Sequence, residues 1–229
     1  MKVFAIGDLH LDGGGNKPMD VFGAHWEGHF SKICRDWQAR VSEGDIVLIP
    51  GDISWAMRLS DALPDLMKIG ALPGHKVLLR GNHDYWWSSI SRLRDALPKG
   101  MYAVQNDAVK IGDVTVCGTR GWLLPGPQTT QEDEKIFARE LLRLRMSLED
   151  AKRLGGNIYV MMHYPPVQED GMPTGFSRLI TEYGIRQAVY GHLHGAAGKT
   201  AFNSVLGGTS YHCVACDGLN FSLFELTDE

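Results

Sequence analysis

Hydrophobic runs of strand length alternate with helical periods through the first third of the chain, and each run leaves into a polar loop. Residues 2–7, 45–50 and 76–80 are short apolar runs bounded by Gly, Pro, Asn or Asp, the mark of buried strands. Between them Phe30, Ile33, Cys34, Trp37 and Val41 recur at helical spacing and predict an amphipathic helix over 28–41. Residues 59–69 predict a second helix, with Pro64 near its first turn. This order of strand, polar loop and helix argues for an α/β architecture with parallel strands, in which ligands gather outside the carboxyl ends of the strands. The middle of the chain changes character. Residues 101–104, 108–111 and 114–119 are short strands with turn signals at Asn106-Asp107 and Gly112-Asp113, and they predict hairpins. Thr129 and Glu132 have capping-box spacing and open a helix to about Leu154, with Ile136, Phe137, Leu141, Leu144, Leu148 and Ala151 as its core stripe. Strands follow at 157–162 and 187–190, with a helix over 177–183 between them. The tail, 201–226, alternates strand and turn signals. No repeat or linker interrupts the pattern, which predicts a single domain over 1–229.

The polar loops carry the chemistry. After the strand at 76–80 comes Arg80-Gly81-Asn82-His83-Asp84. Gly81 permits a sharp turn, and the next three residues offer an amide, an imidazole and a carboxylate. Taken alone, these residues also fit a plain turn. Yet five strand ends carry such groups: Asp8 with His10, Asp52, Asn82 to Asp84, His163, and His192 with His194. A lone histidine after a strand is commonly structural, whereas five clusters at five strand ends indicate a site. Asp8, His10, Asp52, Asn82, His163, His192 and His194 form a mixed nitrogen and oxygen set without thiolate, better suited to Mn, Fe, Zn, Co or Ni than to an all-oxygen Ca or Mg cage. Seven ligands exceed the usual share of one ion; two ions about 3.5–4 Å apart, bridged by a carboxylate, would use them all. Asp8 and His10 stand two apart in extended chain and can converge on one ion. His192 and His194 can converge or straddle two ions, and spacing leaves both open.

Composition narrows the function. The chain has 229 residues, 44% hydrophobic and 22% charged, which suits a soluble globular domain. A formal charge of -4 without a long basic run disfavours binding of extended nucleic acid. The basic cluster between Arg139 and Arg153 is interleaved with Glu140, Glu149 and Asp150 and reads as a solvated helix face. No apolar run approaches the roughly 20 residues of a membrane span, and no signal-peptide core is visible, so a cytoplasmic location is expected. The four cysteines fit a reducing compartment; Cys213 and Cys216 have CxxC spacing but lack the second pair of a zinc site.

Asp8-Leu9-His10, Gly51-Asp52, Gly81-Asn82-His83-Asp84, His163 and Gly191-His192-Leu193-His194 resemble the five ordered motifs of the calcineurin-like metallophosphoesterase superfamily. The match spans residues 7–195, and the stretches following Gly51 and Asn82 are similar to a bacterial branch of that family. The resemblance implies a four-layer α/β/β/α sandwich of two mixed β-sheets, with a metal site at the carboxyl ends of the strands. It implies that Asp8, His10, Asp52 and His194 hold one metal, that Asp52 bridges, and that Asn82, His163 and His192 hold the other. His83 would face the leaving group with Asp84 hydrogen-bonded behind it, and Asn82 and His83 would also meet the substrate. Two divalent or trivalent ions, with Mn, Fe or Zn foremost, would activate a bridging hydroxide for in-line attack on a phosphate mono- or diester. The implied substrate is a phosphorylated small molecule or a phosphoprotein.

Two other readings compete: a nuclease of the same family, disfavoured by the missing basic stripe, and a non-catalytic interaction scaffold, disfavoured by the intact ligand set. Outside the motifs, Arg120 has two readings, a contact to the substrate's phosphate or a surface arginine beside packed Trp122. Trp55, Trp86 and Trp87 either wall a pocket or pack in the core, and His25 and His29 are placed to line an entrance.

Overall fold

The computed structural model describes residues 1–15 and 19–227. In chain order the elements are β1 Val3–Ala5, α1 His29–Arg40, β2 Ile46–Ile49, α2 Leu59–Gly70, β3 His75–Leu79, α3 Ile90–Ala96, β4 Met101–Val104, β5 Ala108–Ile111, β6 Val114–Thr119, α4 Gln131–Leu154, β7 Asn157–Met162, α5 Gly175–Glu182, β8 Gln187–Tyr190, α6 Gly195–Lys199, β9 Val205–Leu206, β10 Thr209–Cys213 and β11 Phe224–Leu226. Two mixed sheets result, one of order β11-β1-β2-β3-β4 and one of order β5-β6-β7-β8-β10-β9. In the first, β1 to β4 run parallel and β11 is antiparallel; in the second, β6, β7, β8 and β10 run parallel with antiparallel edges.

Alternation along the strands explains the layering. Phe4, Val47, Ile49 and Leu78 face outward to a core shared with α1, α2 and α3. Val3, Ala5, Ile46, Leu48, Val77 and Leu79 face the other way, against Val114, Val116, Tyr159, Met161 and Val189 of the second sheet. The far side of that sheet packs Val160, Met162 and Ala188 on Leu144, Leu148 and Ala151 of α4 and on Phe176, Leu179 and Ile180 of α5. Both faces of each sheet are therefore buried, which is why the strands read as continuous apolar runs. The layers run helices, sheet, sheet, helices. Among the described residues no helix is long and apolar enough to cross a membrane.

Several local expectations shift. The capping box of α4 is Thr130 with Asp133, one residue beyond Thr129 and Glu132, because the Thr129 hydroxyl is committed to the Gly126 carbonyl at 2.7 Å. Pro64 falls in the second turn of α2, where it removes one helical hydrogen bond. The helix expected over 177–183 starts at Gly175, capped by Thr174, and the last strand of the tail is confined to Phe224–Leu226, since Asn220 and Phe221 have positive φ. Glu140 is the larger correction: it is buried rather than solvated, accepting from the Thr119 hydroxyl at 2.5 Å and from Arg143 at 2.6 Å.

Leu148 is fully buried between α4 and the second sheet. Leu148→Ala is expected to destabilise the protein by about 2–5 kcal/mol in denaturant unfolding, since the cavity lies in close-packed core.

Candidate active site

Parallel register brings the carboxyl ends of β1, β2 and β3 level in one sheet and those of β7 and β8 level in the other. The loops leaving these ends are then tied to one another by backbone bonds. Asp8 N–H donates to Gly51 O and His10 N–H to Asp52 O, both at 3.0 Å, and Gly191 N–H donates to His163 O at 3.2 Å. Asp8, His10, Asp52 and His192 hold φ of 59°, 44°, 52° and 73°. Left-handed backbone in residues with a β-carbon costs on the order of 1–3 kcal/mol each, and such strain collects at functional sites. Two glycines are needed here for space: a β-carbon on Gly81 would overlap the Asp52 carboxylate and backbone, and one on Gly191 would overlap the Asp8 carboxylate.

All seven residues expected as ligands converge. His10 Nε2 lies 3.3 Å from His194 Nε2 and 3.8 Å from Asp52 Oδ2, and His194 Nε2 lies 3.4 Å from Asp8 Oδ1. On the other side, His163 Nε2 stands 3.5 Å from Asp52 Oδ1 and 2.6 Å from Asn82 Oδ1, and His192 Nδ1 stands 3.0 Å from the same Asn82 oxygen. Two groups could hold an ion: Asp8 with His10 and His194, and Asp8 with Asp52 and His163.

Electrostatics fit a cation. Asp8, Asp52 and Asp84 are all at most 2% exposed. Burial, then the neighbouring Asp8 and Asp84 charges, push Asp52 above the usual carboxylate range. Burial would raise Asp8 too, but its bond to His194 and the surrounding imidazoles hold it low. Burial depresses His10 to about 3 and His163 to about 4, keeping both rings neutral and able to ligate. His194 behaves oppositely. Burial disfavours its charge, but bonds to Asp217 and Asp8 outweigh that and lift it to about 10.

Asp84, expected to hydrogen-bond behind His83, spends its carboxylate on the backbone of both loops and on Trp86. Its carboxylate accepts from the backbone N–H of Asp52, Ile53, Ser54 and Gly81 and from Trp86 Nε1, all between 2.8 and 3.2 Å. It clamps the loop after β2 to the loop after β3, and so shapes the position of His83. His83 itself is half-buried; its N–H donates to Asp52 Oδ1 at 2.9 Å, and its ring lies 4.5 Å from that of Trp55. Trp55 also stacks on His10 at 4.8 Å, while Trp86 and Trp87 are buried, so the three tryptophans divide between wall and core. His29 anchors a loop through Leu9 O at 2.8 Å and, with Trp26 and Met19, lines a cavity of about 320 Å³ that opens at His10. His25 is exposed. Arg120 stacks on Trp122 at 4.6 Å, beside the cluster rather than in it.

Sequence reasoning missed Asp217. Its carboxylate accepts from His194 Nδ1 at 2.9 Å and from Gly195 N–H at 3.0 Å, which leaves His194 Nε2 turned toward Asp8. Asp217 follows β10, whose parallel pairing with β8 puts its end level with the other ligand-bearing loops. All four cysteines are free; burial pushes the Cys213 thiol up to about 12 and Cys216 well above its usual value, and the Cys216 thiol donates to Asp8 O. Neither thiol joins a candidate ligand group among the described residues.

A family model described as calcineurin-like phosphoesterase matches residues 1–196. The fold is similar to that of a phosphopantetheinyl hydrolase from Mycobacterium tuberculosis (TM-score 0.59, 12% identity, covering 100% of this chain and 96% of that one). It is also similar to a Thermus thermophilus protein (0.55, 13%, covering 98% and 97%) and to an Aquifex aeolicus protein of unknown function (0.50, 13%, covering 98% and 95%). At these identities the likeness is one of fold. No curated protein matches the sequence.

Asp217→Ala is expected to weaken Mn²⁺ binding about 10–100-fold in titration, with the circular dichroism spectrum unchanged, because the carboxylate orients a ligating imidazole. In the metal-free protein His194 carries a proton through neutral pH and Asp52 is pushed toward carrying one. A cation must expel these protons, so affinity should rise as pH rises from about 6 to about 8, and calorimetry should show proton release.

Proposed function

The chain belongs to the calcineurin-like phosphoesterase family, whose members are metal-dependent, and from that premise we propose that it hydrolyses phosphate mono- or diesters at a dinuclear centre. The observation that carries this reading is the position of Asp52: one carboxylate oxygen faces His10 and the other faces His163. Asp8, His10, Asp52 and His194 would hold one ion, and Asp52, Asn82, His163 and His192 the other. Such a pair supplies an activated water near neutral pH and offsets charge on the phosphoryl oxygens.

The chain's own residues do the rest. Asp8 and Asp52 hold the negative charge that keeps cations in the loops. Neutral His10 and His163 present lone pairs; His163 is fixed by its contact between Nδ1 and Pro50 O at 3.0 Å. Trp55 screens His10 and His83 from water. His83, protonated, donates to the departing ester oxygen, help typically worth about 10²–10⁴ in rate. Asp84 keeps His83 in place through the clamp between the two loops. The cavity beside His10, with its Met19 and Trp26 walls, is suited to an apolar part of the leaving group. A phosphorylated small molecule or phosphoprotein is the substrate class, and the chain's charge of -4 disfavours extended nucleic acid.

With Mn²⁺ the purified protein should hydrolyse an aryl phosphate mono- or diester. His83→Ala should lower kcat about 10²–10⁴-fold while metal content stays the same. Asp52→Asn should lose both metal and turnover; full activity in that variant would sink the bridging assignment, and no turnover by metal-loaded wild type would sink the enzyme reading.

A further inference from the structure

Next to the ligand cluster, on the same edge of the sandwich, lies a second concavity of about 370 Å³. Its walls come from the ends of β3 and β4 in one sheet, the end of β6 in the other, and α4. Four arginines line it, Arg80, Arg120, Arg139 and Arg143, against a single carboxylate, Glu140. That density of cations stands out in a chain of net charge -4.

Glu140 offsets only part of the charge. It is 1% exposed and spends its oxygens on Thr119 and Arg143. Arg80, Arg120 and Arg139 form no ion pair among the described residues. The Nε of Arg80 is buried without a hydrogen-bond partner, which is costly for a charged group unless a ligand completes it. Arg120 is held by stacking on Trp122, and it lies close enough to Arg80 and Arg143 to be repelled by both. Guanidinium forks of this kind match the oxygens of a phosphate.

The pocket is within reach of the cluster. Arg80 precedes Asn82 by two residues, so their Cα atoms are at most ~7 Å apart. On the other side an aromatic ledge connects the two: Trp122 under Arg120 lies 5.4 Å from Tyr164, whose ring lies 4.2 Å from that of His192.

We infer that this arginine pocket is an anion subsite that takes a second phosphate of the substrate while the scissile phosphate sits at the ligand cluster. The inference rests on the phosphoesterase reading above and narrows it to small molecules that carry two phosphate groups. Arg120 then contacts a phosphate, one of its two readings, but not the phosphate that is cleaved.

Binding of inorganic phosphate and pyrophosphate to the metal-free protein, followed by calorimetry, tests the pocket without relying on turnover. Wild type should bind pyrophosphate, and Arg80→Gln and Arg139→Gln should each weaken it about 10-fold or more. Arg139 is exposed on a helix, so that variant keeps the fold even where Arg80→Gln does not. In the Mn²⁺-loaded enzyme, the preference in kcat/KM for a bisphosphorylated substrate over an aryl phosphate should fall in Arg139→Gln. No pyrophosphate binding by wild type, binding indifferent to both substitutions, or binding of polynucleotide only would overturn the subsite. If aryl phosphate is still turned over, that failure leaves the phosphoesterase reading intact. Pyrophosphate binding without any ester hydrolysis would keep the anion site and overturn its assignment to a substrate.

Discussion

Three carboxylates are buried together where five loops meet, and the site is the solution to that problem. Asp84 is satisfied by five donors from the backbone and Trp86. Asp8 receives the His192 N–H across both of its oxygens, at 3.0 and 3.1 Å. Asp52 has the His83 N–H and little else to balance its burial next to two like charges. An ionised carboxylate in such a place is expensive unless a positive charge accompanies it. The two imidazoles nearest to it, on His10 and His163, are held neutral by burial, and a cation between them would supply the charge that lets Asp52 ionise.

The architecture exists to hold that arrangement open. Two sheets buried on both faces fix the strand ends, and the loops leaving them accept left-handed backbone at Asp8, His10, Asp52 and His192. Helices shield the outer faces and leave the carboxyl edge free for both the ligand cluster and the arginine pocket. Stability invested in the core thus sustains strain and buried charge at the edge, a usual trade at functional sites.

Much of this was legible in the sequence because strands buried on both faces read as apolar runs, and because polar residues at their ends stand out against them. Asp8, His10, Asp52, Asn82, His163, His192 and His194 were all found by that contrast. Residues inside helices and in the tail were harder. Glu140 looked like one more solvated charge on α4; only the approach of Thr119 from another strand makes it a buried acceptor. Asp217 was hidden because the parallel pairing of β10 with β8 is a long-range fact that the tail's alternating pattern does not encode. Arg80 and Arg139 lie 59 positions apart in the chain and share a pocket only once β3, β6 and α4 have packed.

The position of Asp52 between two sets of imidazoles is the central claim, and anomalous diffraction from crystals soaked in Mn²⁺ tests it most directly. Two peaks about 3.5–4 Å apart are predicted, one on each side of the Asp52 carboxylate. A single peak, or peaks that do not share Asp52, would contradict the account.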